Sequence, residues 1–432
     1  MPETRTIRVE ALSRVEGEGA LNIRLRDGTI ENVQLNIYEP PRFFEALLRG
    51  RPLEEVPDIT ARICGICPVA YQMSSVHALE AALGIGISPE IRRLRRLLYC
   101  GEWIESHALH IHFLHAPDFL GYESGIAMAA DHPLEVRRGL RLKKHGNQLL
   151  EVLGGRAIHP VNVAVGGFYR APRREELAAL IPDFEWGLEA AVDMTRWLAG
   201  LPFPEFTRPY EMVALSHPDE YPFNEGDVAS TAGYTIRVSE YERRFEELHV
   251  SHSTALQSQR TETAGCYFVG PLARVNLCRD RLSPAARRLA DDIIGFETPC
   301  LNPYKSIIAR GLEVVHVYEE ALSILRDYRP FQPARIAFTH RAGEGCAATE
   351  APRGLIYHRY RVNAEGLVEF AKIVPPTSQN QKQIEDDLKA YLPSIMAEPD
   401  NRVAELCERL VRNYDPCISC STHFLKLHWD RR

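Results

Sequence analysis

Residues 61–72 read ARICGICPVAYQ and residues 414–423 read YDPCISCSTH. Each carries a CxxC pair, Cys64–Cys67 and Cys417–Cys420, and the two pairs are separated by almost the whole of a 432-residue chain. A thiolate is a soft donor that suits nickel, iron, copper or zinc. A CxxC turn at a helix start sets two sulfurs on one ion, and the first free N–H groups of the helix stabilise their charge. The first pair fits that geometry, because Gly65 eases the turn and Pro68 suits an early helical position. The second follows an amphipathic stretch and Pro416, which puts its cysteines in a short rigid connector. On spacing alone, structural zinc and another thiolate-bound metal are equally good readings, since zinc modules are usually compact. In either case a single site has to hold the beginning of the chain against its end.

The rest of the sequence sets the frame for that site. Composition is ordinary, with 45% hydrophobic and 25% charged residues, enough for a large core and without a disorder signature. A formal charge of -7 argues against a nucleic-acid or anionic-membrane partner. The cluster Arg92, Arg93, Arg95 and Arg96 reads as a solvated helix face. No apolar run reaches the roughly 18–20 residues that cross a bilayer. The opening MPETRTIRVEALSRVEG is too polar for a signal peptide, so a cytoplasmic location is the default. Ten cysteines are too few for a disulfide scaffold at this length. The six outside the pairs (Cys100, Cys266, Cys278, Cys300, Cys346 and Cys407) read mainly as small buried side chains.

Alternation over 5–36, with turn signals at Gly17–Gly19 and Asp27–Gly28, predicts a small antiparallel sheet. Apolar residues at three- and four-residue steps predict helices near 69–83, 89–115, 133–153, 174–200, 236–257, 283–295, 315–328, 380–394 and 401–413. A second strand-like region spans about 335–375. The class is α+β and predominantly helical: a central helical bundle with a small N-terminal sheet and peripheral β segments. We expect one co-folded unit, with a β region at 5–36, a helical core at 42–200, a second helical lobe at 201–335 and loops with the second pair at 336–423.

The flanks of the two pairs decide between the metals. RxCGxC near the start with DPCxxCxxH near the end resembles the signature of nickel–iron hydrogenase large subunits. Four further stretches extend the resemblance: SRVEGEG at 13–19, GGRAIHP at 154–160, EAPRG at 350–354 and VPPTSQN at 374–380. CPVAYQMSSVHALEAALG looks most like the cytosolic, NAD(P)-linked sulfhydrogenase branch.

The resemblance implies nickel on Cys64, Cys67, Cys417 and Cys420, with Cys67 and Cys420 bridging to an iron that carries carbon monoxide and cyanide. It implies that Glu16 relays protons from the thiolate of Cys417, although Glu16 alone would read as a surface acid. Glu18 stands where many relatives have His. Arg353 would lie over the open metal face, anchored by Asp118 and Asp415; the bland reading pairs Arg353 with Glu350. Pro376 and Thr377 would line the pocket of the diatomic ligands. Glu45, His423 and the carbonyl of Ile373 would hold magnesium or a second iron. His107, His110, His112 and His115 crowd one helix and read as hydrogen-bonded core groups. His159 reads likewise, as structural, and Tyr71 occupies a position where relatives often carry His.

The implied reaction is reversible heterolytic cleavage of H2 to protons and electrons. No further cysteine motif for an iron–sulfur cluster is left in the chain, and RVEGEGA does not follow a dinucleotide-binding pattern. An iron–sulfur small subunit is therefore implied, followed by flavin- and NAD(P)-binding electron-transfer subunits. The family's maturation endopeptidase would cut after His423 and release Phe424–Arg432. Two other readings compete: a relative of the large subunit of respiratory complex I, which lacks the cysteines, and a zinc-stabilised scaffold.

Overall fold

A computed structural model describes residues 4–39 and 43–422. Strands β1 (Thr4–Val9), β2 (Gly19–Arg26) and β3 (Thr29–Ile37) form an antiparallel meander. Leu21, Ile23 and Leu25 alternate inward and meet Val33, Leu35 and Ile37 from the next strand, all buried. Asp27 and Gly28 both take positive φ (49° and 71°), as a two-residue hairpin matched to strand twist requires. The β1–β2 connection, residues 10–18, reaches the far end of the chain.

Helix α1 (Pro68–Leu83) starts at Cys67, and α2 (Pro89–Leu109) starts at Ser88, whose hydroxyl caps the Ile91 N–H at 3.3 Å. The helix continues past α2 as one wider turn at His110–His115. Next come α3 (Pro133–Gly154) and α4 (Ile181–Ala199). Strands β4 (Val213–Ser216) and β5 (Asp227–Ser230) pair with each other, as do β6 (Phe245–Leu248) and β7 (Gln257–Arg260). Helices α5 (Pro271–Cys278) and α6 (Ser306–Asp327) lead into a meander of β8 (Gly343–Ala351), β9 (Gly354–Val362) and β10 (Val368–Val374). Helices α7 (Pro376–Ile395) and α8 (Asp400–Arg412) lead to the second cysteine pair.

Helices α2, α3, α4 and α6 pack as the central bundle. Glycine permits the closest crossing. A Cβ on Gly146 of α3 would stand 2.6 Å from the Gly101 carbonyl of α2 and 2.7 Å from the Glu105 nitrogen. The β8 edge lies equally close on α1, where a Cβ at Gly345 would stand 2.3 Å from the Ala82 nitrogen.

Three expectations are corrected here. Residues 236–257 are not a long helix. Their spaced Tyr241 and Phe245 do turn inward, against Tyr267, Tyr357 and Val374, but only short helical turns over Val238–Glu240 and Tyr241–Arg244 form before β6 pairs with β7. The arginine cluster is not a solvated face. Arg95 is buried in a two-pronged pair with Glu80 (2.6 and 2.8 Å), and Arg96 reaches Glu320 and Glu220 at 2.5 and 2.7 Å. The second lobe, expected to be helical over 201–335, includes the strands β4 and β5 near its start.

Candidate metal centre

The first cysteine pair lies on the turn into α1. The Cys67 and Ile66 amides point at the Cys64 sulfur (3.1 and 3.4 Å), so free N–H groups at the helix start face a thiolate. Glu102 of α2, fully buried, accepts the next two amides, Val69 N–H at 2.6 Å and Ala70 N–H at 3.1 Å, and thereby fixes where the helix begins. Burial, reinforced by the nearby Cys64, pushes the Glu102 carboxyl well above the ordinary carboxylate range.

The second pair follows α8 through a backbone reversal. Asp415 takes a left-handed conformation (φ 50°), one of the few non-glycine residues suited to it. The Cys417 N–H donates to the Thr377 hydroxyl at 3.0 Å, and Ile418–Ser421 form a single helical turn. That bond leaves the Thr377 hydroxyl proton available to donate elsewhere.

The four sulfurs converge. All lie within 4.8 Å of one another and all four cysteines are buried; Cys64 Sγ is 2.7 Å from Cys67 Sγ and 3.6 Å from Cys417 Sγ. Burial opposes a charge on Cys64, yet hydrogen bonds from Cys417, Cys420 and Cys67 outweigh it and hold that thiol well below its usual value. Burial pushes the other three well above theirs. Four crowded, buried thiols are an arrangement that a soft cation resolves, by replacing the protons. The donor set therefore fits thiolate-bound nickel and iron.

Around the sulfurs the structure gathers polar groups that no zinc scaffold needs. The Cys417 thiol donates to Glu16 Oε2 at 3.1 Å, and the Ser419 N–H donates to the same oxygen at 3.1 Å. The Ile418 N–H donates to the Glu16 carbonyl at 2.9 Å. Only glycine fits at position 17, where φ is 86° and a Cβ would stand 2.8 Å from the Ser419 nitrogen. Arg353 is buried; its Nε donates to the Asp415 carbonyl (2.9 Å) and its Nη groups to Asp415 Oδ1 (3.2 Å) and Ser106 Oγ (3.4 Å). Burial works against that guanidinium, but Asp415 and the cysteine sulfurs hold its pKa well above the ordinary value.

Asp118 does not meet Arg353. It is engaged in a two-pronged pair by Arg412 (2.7 and 2.8 Å) and by Arg14, whose own Nη1 donates to Leu114 O. Arg412 ends α8 and Arg14 lies in the β1–β2 connection, so Asp118 ties both segments that carry site residues without touching the site. Burial would raise its carboxyl, but Arg412 and Arg14 hold it below the usual range. Glu350 also avoids Arg353 and pairs with Arg274 at 2.9 Å.

Glu45 Oε1 accepts the Ile373 N–H at 2.8 Å, and both line a cavity of about 330 Å³ with Ile63, Pro375 and Cys420. Pro376 begins α7 beside it, buried, with Thr377 next. His423 and the tail Phe424–Arg432 lie outside the described residues. The clustered histidines are buried and each has a partner: Glu313 for His107, the Arg412 carbonyl for His110, Met194 sulfur for His112 and Asn413 for His115. His159 bonds the Ala61 carbonyl at 2.8 Å. Tyr71 is fully buried, its ring 5.9 Å from that of His358.

Sequence reading missed Glu102, Trp103, Arg274 and Glu313. The available signal was a charged residue inside an apolar helical run, as in LLYCGEWIES and IIARGLEVV, which in a core demands a partner.

Residues 42–133 and 268–423 match the family described as nickel-dependent hydrogenase. The alpha subunit of sulfhydrogenase 1 from Pyrococcus furiosus is 33% identical over 429 residues, 98% of each chain. The alpha subunit of sulfhydrogenase 2 from the same organism is 33% identical over 424 residues, covering 98% of this chain and all of that one. The crystal structure of an NAD+-reducing NiFe hydrogenase in the H2-reduced state superposes with a TM-score of 0.87 at 27% identity, covering 97% of this chain and 99% of that one.

Proposed function

The chain belongs to the nickel-dependent hydrogenase family as a large, catalytic subunit, and on that premise we propose how its residues divide the work of splitting H2. Cys64, Cys67, Cys417 and Cys420 would hold nickel, and Cys67 and Cys420 would also serve an iron with carbon monoxide and cyanide ligands. When bound, that metal pair supplies the Lewis acidity and the electron acceptor for heterolytic cleavage. The protein's own part is electrostatic and protonic. Cys417 Sγ takes the proton, and Glu16 Oε2, 3.1 Å away, carries it onward. Arg353, held by Asp415, presents a fixed positive charge beside the thiolates. Thr377 and Pro376 would frame the diatomic ligands. Glu45 and the Ile373 carbonyl would hold a magnesium or iron ion at the neighbouring cavity, a set to which the reading adds His423, outside the described residues.

Electrons leave to an iron–sulfur small subunit and from there to flavin- and NAD(P)-binding partners in the cytoplasm. The similarity to an NAD+-reducing enzyme supports that acceptor. No described helix is long and apolar enough to cross a membrane. Removal of Phe424–Arg432 by an endopeptidase belongs to the same reading.

The observation that carries the proposal is the carboxylate of Glu16 on one sulfur of a buried four-sulfur cluster. Its test is elemental analysis with infrared spectroscopy on chain matured together with its partners. One nickel per chain, with iron and sharp bands from metal-bound carbon monoxide and cyanide, is expected. Zinc alone, without such bands, would sink it.

A further inference from the structure

Among the described residues a wholly buried charge cluster lies outside the donor set. Arg274 of α5, Glu313 of α6 and Glu350 of β8 are all wholly buried. Arg274 Nε and Nη2 grip the two oxygens of Glu313 at 2.7 and 2.8 Å. Its Nη1 donates to Glu350 Oε2 and to the Ala351 carbonyl, both at 2.9 Å, and its Nη2 donates to the Pro352 carbonyl at 2.9 Å. Trp103 lies against the guanidinium, 4.3 Å from carbon to ring centroid, and its indole N–H donates to the Glu350 carbonyl at 3.2 Å. All three carbonyls of the segment leading into Arg353 are therefore bonded to this one cluster. Glu313 is itself held by the Tyr221 hydroxyl (2.7 Å) and by His107 (2.9 Å).

A core that only had to be filled would be served as well or better by apolar side chains, because burying three charges costs several kcal/mol per ion before they pair. What the charges add is direction. A planar fork with five donors fixes acceptors at set angles, which neither an ammonium nor an apolar group does. The fixed segment is short. β8 ends at Ala351 and β9 begins at Gly354, whose φ of 135° and lack of a Cβ let the turn press on Val269 and Gly270. Between them stands Arg353, whose side chain reaches Asp415 beside the second cysteine pair.

We propose that Arg274 is the positioning residue for Arg353: bridging Glu313 to the Glu350 carboxylate and the Ala351 and Pro352 carbonyls, it sets the height and angle at which the Arg353 guanidinium meets the metal centre. The inference rests on the role given to Arg353 above.

The test uses the matured, partner-bound enzyme with R274K, R274M and R353K, and with R274K and R353K combined. R274K and R274M are expected to lower kcat for H2 oxidation on the order of tenfold or more, the scale of a misplaced group, with nickel content unchanged. They should also move the infrared bands of the diatomic ligands in the same direction as R353K. Added to R353K, R274K should cost less than about twofold more, because the two changes damage one interaction. Losses that multiply in the combined variant, with wild-type bands in R274K, would overturn the proposal and leave Arg274 a stabiliser of the fold. Full activity in R353K would overturn the role of Arg353 itself, and the proposal with it, whatever R274K shows. If R274M does not accumulate, R274K decides, since it keeps a cation beside Glu313.

Discussion

Glu16 and Cys417 are joined twice, by a carboxylate–thiol contact of 3.1 Å and by a parallel backbone bridge in which the Ile418 N–H donates to the Glu16 carbonyl at 2.9 Å. The bridge holds the carboxylate where it is, so its distance from the sulfur does not depend on side-chain rotamer alone. A proton acceptor gains most from such fixed geometry.

Glu16→Gln keeps the shape and the bond from the Ser419 N–H but removes the carboxylate that can take up a proton. H2 oxidation should fall on the order of a hundredfold or more, with nickel and iron contents at wild-type levels. The assay is turnover per nickel, alongside isotope exchange between H2 and heavy water. Turnover within twofold of wild type would remove Glu16 from the proton route.

Gly146→Ala tests the bundle rather than the chemistry. The added Cβ meets the Gly101 carbonyl and the Glu105 nitrogen, both backbone, so no side chain can swing aside. Helices α2 and α3 must separate, at a cost of about 1–3 kcal/mol. Thermal or denaturant unfolding should show that loss, while turnover per folded molecule stays near wild type. An unchanged midpoint would mean that this crossing is looser than described.

The buried histidines make stability depend on pH. Burial depresses His112 from 6.5 to about 3, so the folded state keeps it neutral while the unfolded chain takes up a proton below 6.5. Its contribution is complete above that value and is lost progressively as pH falls towards 3. Between pH 7 and 5.5 the loss is about 1 kcal/mol. His112→Phe should flatten the decline in denaturant midpoint over that interval by this amount, whatever its effect at pH 7. A slope identical to wild type would show that His112 protonates in place.

Much of this was legible in the sequence because two local signals survive folding. Alternation with the Asp27–Gly28 turn determines the N-terminal meander, and the CxxC flanks point to a metal centre whose sulfurs the fold does bring together. Partnerships between distant charges were not legible. Asp118 was expected on Arg353, but α8 delivers Arg412 to it, and nothing local to residue 118 announces a cation 294 positions away. Glu350 sits three residues from Arg353 and looks like its partner, yet in β8 it points to α5 and Arg274. The helical spacing at 236–257 failed for a related reason, since the β7 partner that converts residues 245–248 to strand is read only after the chain has turned.

The cysteine pairs are 353 positions apart, measured from Cys64 to Cys417. During synthesis Cys64 and Cys67 therefore emerge first and wait through most of translation with half a coordination sphere. Until the second pair is made, two of the four sulfurs are all the chain has. The donor set closes only when Glu16, Arg14 and Asp118 meet the late segment carrying Arg412, Cys417 and Ile418. Opening the set again therefore means parting the earliest segment of the fold from the latest.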